Sequence, residues 1–327
     1  MSRDHWTEHE LPDGYAIRAP TTDDFRAVAD LVLASDVAGF GEPDYTEQEL
    51  LADWQDLDLR RDAWVVAAPG GELAGYAAVE NRGHGTVFAE GYVHPAYTGL
   101  GVGASLVRLT EARAREHAAR LPPGSRAFVD NTINGEDGAS RRLLERAGYG
   151  AVRHFWRMAV ELEEAPPEPR LPEGVSIRSC VPGEDERAIF EALDEALRDH
   201  WEYTPATFER WERRKKRMGF DPGLWLLAVD GGEVAGAAVC EDRPESGWVS
   251  ELAVRRPWRR RGLGLAMLRR AFAEFYRRGR RKVALAVDSQ SLTGATRLYE
   301  RAGMRVERLY SVYRKELSTG EQPAEPV

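Results

Sequence analysis

The run Arg259-Arg260-Arg261-Gly262-Leu263-Gly264 places three guanidinium groups and two glycines within reach of one anion. Upstream, Trp248 to Val254 reads as a strand. Downstream, Leu265, Leu268, Phe272 and Phe275 recur at helical spacing until Gly279 supplies a stop. The loop therefore opens a helix, whose first turn offers four unpaired backbone N–H groups and the positive end of the dipole. Glycines bring no Cβ to hold a phosphate away, and the arginines add charge-assisted donors. A basic surface patch for nucleic acid or localisation is the other use of such a run, but it leaves the strand, the helix and both glycines without a role.

The chain that must position this loop is acidic overall, with a formal net charge of -9. That disfavours general nucleic-acid binding and points to an anionic cofactor at a local basic site. At 327 residues, with 43% hydrophobic and 30% charged, the chain has the length and composition of two globular domains. No run has signal-peptide character or the length to span a bilayer, so the expectation is a cytoplasmic protein without a membrane partner. Cys180 and Cys240 are too few for a disulfide framework and are expected as buried thiols. The histidines, including His84, His94, His154 and His200, form no metal-ligand spacing, so no metal is expected.

An internal repeat organises the rest. Leu11-Pro12-Asp13-Gly14-Tyr15-Ala16-Ile17-Arg18 returns as Leu171-Pro172-Glu173-Gly174-Val175-Ser176-Ile177-Arg178. Trp64 to Gly75 likewise returns as Trp225 to Gly236. The period is far longer than that of a solenoid, so one whole domain is present twice. Each copy reads as a short strand, one or two helices, a hairpin turning at Gly70-Gly71 or Asp230-Gly231-Gly232, a strand entering a glycine loop, and a long helix. A parallel strand follows (Ala127 to Val129, Val283 to Val287), then a helix ending at Gly148 or Gly303, and a closing strand near 154–162 or 308–317. The expected boundaries are an N-terminal domain at 11–162, a Pro/Glu-rich linker at 163–173, a C-terminal domain at 174–317 and a disordered tail at 318–327.

A strand, then Arg259-x-x-Gly262-x-Gly264, a helix, a strand and Leu298-Tyr299-Glu300-Arg301-Ala302-Gly303-Met304 resembles the GCN5-related N-acetyltransferase (GNAT) superfamily, over nearly the whole chain as two tandem domains. The resemblance implies an α/β (α+β) fold in which each domain is a mixed, mostly antiparallel sheet, with splayed central parallel strands flanked by helices. It also implies acetyl-CoA as cosubstrate, its pyrophosphate on Arg259, Arg260, Arg261, Gly262, Leu263 and Gly264, and its pantetheine arm and thioester against the backbone of Leu252, Ala253 and Val254. Transfer to an amine would be direct, in a ternary complex without an acyl-enzyme. Such a reaction needs a base for the amine, polarisation of the thioester oxygen and a proton for the leaving thiolate. Tyr299, at the family's tyrosine position, is expected to protonate the thiolate, and Glu251, just before the loop, to serve as base. Packing beside the core is the ordinary role of such a tyrosine, and solvation or pairing that of such a carboxylate.

The copies are unequal. Aligning Val93 to Gly103 on the basic loop keeps Val93, Gly99, Gly101 and Gly103 as cofactor-binding candidates and matches Glu90 to Glu251, but puts Thr98 at Arg259. Leu144 stands where Tyr299 does, and leucine cannot donate a proton. The N-terminal copy is therefore expected to be catalytically silent, the C-terminal copy to acetylate a primary amine of a small molecule. Protein or peptide N-acetylation and a non-catalytic acetyl-CoA sensor are the alternatives. Asp199-His200-Trp201-Glu202-Tyr203 is a candidate substrate wall, equally readable as a helix end with a packed tryptophan. The duplication suggests a monomer containing its own pseudo-dimer.

Overall fold

The computed structural model describes residues 11–317 apart from 84, 123, 199, 202, 204, 292 and 293. The expected tail, and Asp199 and Glu202 of the candidate substrate wall, lie outside the described residues. The chain forms two units. The first takes the described residues up to Val152 together with those from Ser311 onward, and the second is Arg153–Tyr310.

The first half runs β1 (Ala16–Arg18), α1 (Phe25–Phe40), α2 (Glu47–Asp56), α3 (Leu59–Asp62), β2 (Ala63–Ala67), β3 (Leu73–Gly83), β4 (Thr86–Val93), α4 (Val102–Ala118), β5 (Ala127–Asn134), α5 (Gly138–Arg146) and β6 (Gly150–Glu161). The second half repeats it, without an α-helix matching α3, as β7 (Val175–Ser179), α6 (Glu186–Leu197), α7 (Phe208–Arg217), β8 (Trp225–Asp230), β9 (Glu233–Asp242), β10 (Gly247–Val254), α8 (Leu263–Arg277), β11 (Lys282–Asp288), α9 (Ala295–Arg301) and β12 (Arg305–Leu317).

The repeated sequence has a repeated structural use. Arg18 grips Asp24 at 2.6 Å, and Arg178 grips Asp185 at 2.5 Å, each tying the first strand of its copy to the segment that starts the first helix. In both units three antiparallel pairings are followed by a parallel one: β1-β2-β3-β4-β5 in the first and β7-β8-β9-β10-β11 in the second. The strand, helix, strand order makes the last pair parallel, since the long helix carries the chain back across one face. In the second unit β8 to β10 separate two cores. Leu226, Ala238 and Val249 pack with Met267, Phe272 and Phe275 of α8 on one face, while Leu227, Val239 and Ala253 pack with Ile189 and Leu193 of α6 on the other.

The closing strands depart from the boundaries expected at 162 and 174. Beyond Val152, β6 belongs to the second unit, pairing antiparallel with β11 from Glu161↔Lys282 to Phe155↔Asp288 and burying Met158 completely. The end of β12 belongs to the first unit, next to β5. There Arg314 holds Asp130 at 2.7 Å, Lys315 holds Glu111 at 3.0 Å, and Tyr313 and Leu317 enter the core with Val129 and Leu144. The Pro/Glu-rich segment 163–173 therefore lies inside the second unit, where it joins β6 to β7, five strand positions away in the sheet order. Five strand spacings are on the order of 24 Å. Extended proline-rich chain rises about 3.1 Å per residue, so this segment has the reach for that crossing.

Candidate active site

The glycine loop begins α8 as expected. Gly262 is its N-cap with φ 83°, and the first internal bond runs from Ala266 N–H to Gly262 C=O at 3.1 Å, leaving the preceding amides of the turn for a ligand. The two glycines do different work. A Cβ on Gly262 would meet nothing within 4 Å, so that glycine is there for its left-handed backbone. A Cβ on Gly264 would lie 2.8 Å from Leu298 Cδ1, so that glycine lets α9 approach, a role the expected phosphate clearance did not include. The first unit repeats both features, with Gly101 at φ 82° and Leu143 3.1 Å from a Cβ on Gly103.

The arginines also divide. Arg259 donates Nε to Val254 C=O at 3.0 Å and a terminal nitrogen to Ala196 C=O at 3.2 Å, so it ties the loop to the end of β10 and to α6. These bonds give it an anchoring role besides its expected place among the phosphate donors. Arg260 and Arg261 are exposed. Arg261 lies 3.7 Å from Asp230, whose carboxylate also accepts from Trp258 Nε1 at 2.8 Å. Arg260 has φ 61°, and among the described residues every other positive φ belongs to a glycine. Its counterpart Gly99 has φ 80°, so the backbone shape is shared and only the C-terminal copy keeps a side chain there. A non-glycine residue in this region costs about 1–2 kcal/mol, a strain typical of functional loops. The open helix start, the vacant side of Gly262 and two outward guanidiniums suit a pyrophosphate.

Beside the loop the parallel strands part. β10 pairs with β11 only at Gly247↔Val283 and Trp248↔Ala284, and a bulge at Ser250 follows at once, between Val249↔Cys240 and Glu251↔Val239 on the β9 side. Leu252, Ala253 and Val254 keep their pairing with β9 but have none with β11. The bulge also turns the strand over. Val249 enters the α8 core, yet Ala253, which strict alternation would put on the same face, enters the α6 core. In the first unit β4 and β5 likewise part beyond Ala89↔Asn131, but β3 and β4 stay in register through Val79↔Ala89 and Ala78↔Glu90, with no bulge there.

Glu251 is held from α7. Lys215 Nζ lies 2.9 Å from Glu251 Oε1, and Trp211 Nε1 donates to Oε2 at 3.3 Å. Lys215 also donates to Ser250 Oγ at 3.0 Å. Neither residue was singled out from sequence: Lys215 sits in the run Arg213-Arg214-Lys215-Lys216-Arg217, which reads as a solvated helix face, and it is 36 residues from Glu251. Glu90, the twin, instead faces phenols. Burial and then its charge push Tyr76 and Tyr92 far above the ordinary tyrosine range, and these two rings stack at 6.4 Å.

Tyr299 is buried among α8 and α9, and burial pushes its phenol up to about 12. It therefore keeps its proton through the whole neutral range. It shares no hydrogen bond with Glu251, which projects on the α7 side of the strand. Leu144 fills the matching place in the first unit and packs wholly into its core. Cys180 and Cys240 are buried free thiols, and burial raises both. Among the described residues no group of histidine, cysteine and carboxylate side chains is arranged to hold a metal, and no helix is long and apolar enough to cross a membrane.

The sequence model of the Acetyltransferase (GNAT) family matches twice, at residues 25–149 and 188–304. A mycothiol acetyltransferase of Cellulomonas flavigena is 32% identical over 303 residues, covering 88% of this chain and 84% of its own. Another from Thermobispora bispora is 34% identical over 254 residues, 75% of this chain and 81% of its own. Among solved structures, a GCN5-related N-acetyltransferase from Sphaerobacter thermophilus is 43% identical with a TM-score of 0.81, over 94% of this chain and 97% of that one.

Proposed function

The chain belongs to the GNAT acetyltransferase family and is an acyltransferase, and from that premise we propose that it transfers an acetyl group from acetyl-CoA to a primary amine of a small molecule, with the chemistry in the second unit. Acetyl-CoA supplies the activated acetyl group. The amides at the start of α8, with Arg260 and Arg261, hold its pyrophosphate, and the backbone of Leu252 to Val254, unpaired on the β11 side, meets its arm. Glu251 takes the acceptor's proton, and Tyr299 holds a proton for the leaving thiolate. The name of the curated relatives, mycothiol acetyltransferase, favours a small acceptor over a protein.

The observation that carries the assignment to one unit is the pair Tyr299 and Leu144, at matched positions with and without a proton donor. The first unit keeps a glycine loop, with Val93, Gly99, Gly101 and Gly103, and parted strands, so our reading gives it CoA affinity without turnover. The test follows free thiol while amines are screened with acetyl-CoA, using the wild type, Tyr299→Phe and Leu144→Ala. Loss in the first variant with little change in the second supports the reading. Equal turnover in wild type and Tyr299→Phe removes the acid assignment, and tight CoA binding with no turnover on any amine supports a sensor.

A further inference from the structure

The face of β10 that carries Glu251 neutralises its own charge. Glu251 and Glu241 are the carboxylates, and Lys215 and Arg243 are the cations that face them. Lys215 Nζ stands 2.9 Å from Glu251 and 3.9 Å from Glu241, while Arg243 reaches Glu241 at 3.1 Å and lies over the Trp248 ring at 4.1 Å. The Lys215 side chain is only 11% exposed, so this ammonium belongs to the site and not to bulk solvent. Around it α7 carries Arg210, Arg213, Arg214, Lys216 and Arg217 against Glu209 and Glu212, with Lys216 tied to Glu212 at 2.9 Å, so the helix as a whole is net positive.

We propose that Lys215 is a specificity-determining residue that fixes the charge class of the acceptor: the site turns away polycationic amines and admits a single amine on a neutral or anionic framework. The inference rests on the reading of Glu251 as the carboxylate that meets the acceptor. A carboxylate already paired with an ammonium gives little to a second one, and the two cations repel across it. The nucleophile itself is the uncharged amine, which loses nothing by meeting a neutralised pair. A polyamine brings further ammoniums that meet the net positive charge of α7, whereas a phosphate or carboxylate on the acceptor is drawn to it.

The experiment titrates spermidine, and separately glucosamine 6-phosphate, into the full chain saturated with CoA, by calorimetry. Lys215→Met is expected to bind spermidine at least tenfold more tightly than wild type and glucosamine 6-phosphate less tightly, while Lys215→Arg keeps the wild-type preference. In Lys215→Met/Glu251→Gln the gain for spermidine is expected to vanish, which locates it at that carboxylate. Lys215→Gln repeats the measurement should the methionine variant fold poorly, and CoA affinity reports on the fold of each. Unchanged spermidine affinity on loss of the lysine overturns the inference, as does a gain that survives in the double variant. Glu251→Gln alone is assayed for acetyl transfer, and undiminished turnover there removes the reading of Glu251 whatever Lys215 does.

Discussion

Leu298 Cδ1 stands 2.8 Å from the point where a Cβ on Gly264 would lie, so the first turn of α8 rests directly on α9, one residue from Tyr299. The glycine loop and the candidate acid are thereby fixed to each other through a missing methyl group. Gly264→Ala is expected to lower stability by about 1–2 kcal/mol, since overpacking outweighs the better helix propensity of alanine. Gly103→Ala, with 3.1 Å to Leu143, should cost less. Thermal melts of the two variants compare them, and Gly264→Ala/Leu298→Ala should be more stable than the sum of its single changes predicts.

Arg260 carries backbone strain in the loop proposed to hold phosphate. Arg260→Gly relieves a left-handed arginine and is expected to raise stability by about 0.5–1 kcal/mol, read as a higher Tm. The same change removes an exposed guanidinium from the loop and should weaken CoA binding by roughly tenfold, the scale of one charge-assisted bond. A lower Tm with unaltered CoA affinity would falsify both halves.

The Tyr299 proton is secure. With the phenol pushed up to about 12 by burial, the acid form persists through the working range, so turnover should show no falling limb from this group between about pH 8 and pH 10. Because the folded value lies above the unfolded one, the stability it contributes is fully present below about pH 10 and is lost as the pH rises towards 12. Tyr299→Phe is expected to reduce kcat by roughly a hundredfold at every pH, the usual scale for a lost general acid. Thiol-release rates across the pH series check this.

A fragment of residues 174–317 should not fold as a soluble unit. It lacks β6, leaving β11 without the partner that runs from Glu161↔Lys282 to Phe155↔Asp288 and removing buried Met158 from the core. An exposed inner edge of that kind aggregates. A fragment beginning at 150 should recover solubility and cooperative melting, and equal behaviour of the two would refute the strand assignment.

Much of this was legible in the residues. The glycine loop, the parallel pair and the inequality of Leu144 and Tyr299 follow from spacing and from comparison of the two copies. The closing strands did not reveal their partners, because residues 154–162 and 308–317 have interchangeable strand patterns and nothing in a single strand says which sheet edge it joins. Lys215 stayed hidden in a basic helix, where only the tertiary contact to Glu251 distinguishes it from Arg213 or Lys216. Arg259 shows a different limit: its type suits phosphate, and only the folded structure adds two backbone carbonyls as acceptors of its donors.

The crossing of β6 and β12 also bears on inheritance. Cutting and splicing genes at the proline-rich segment, the place that looks made for it, would send each half into its new host without the strand that completes its own sheet and with one shaped for the sheet left behind. After the duplication the first half could drift in chemistry, as Leu144 against Tyr299 records, but deleting it through residue 162 would strip the second unit of β6, the strand that pairs with β11. Its retention thus needs no activity of its own to explain it.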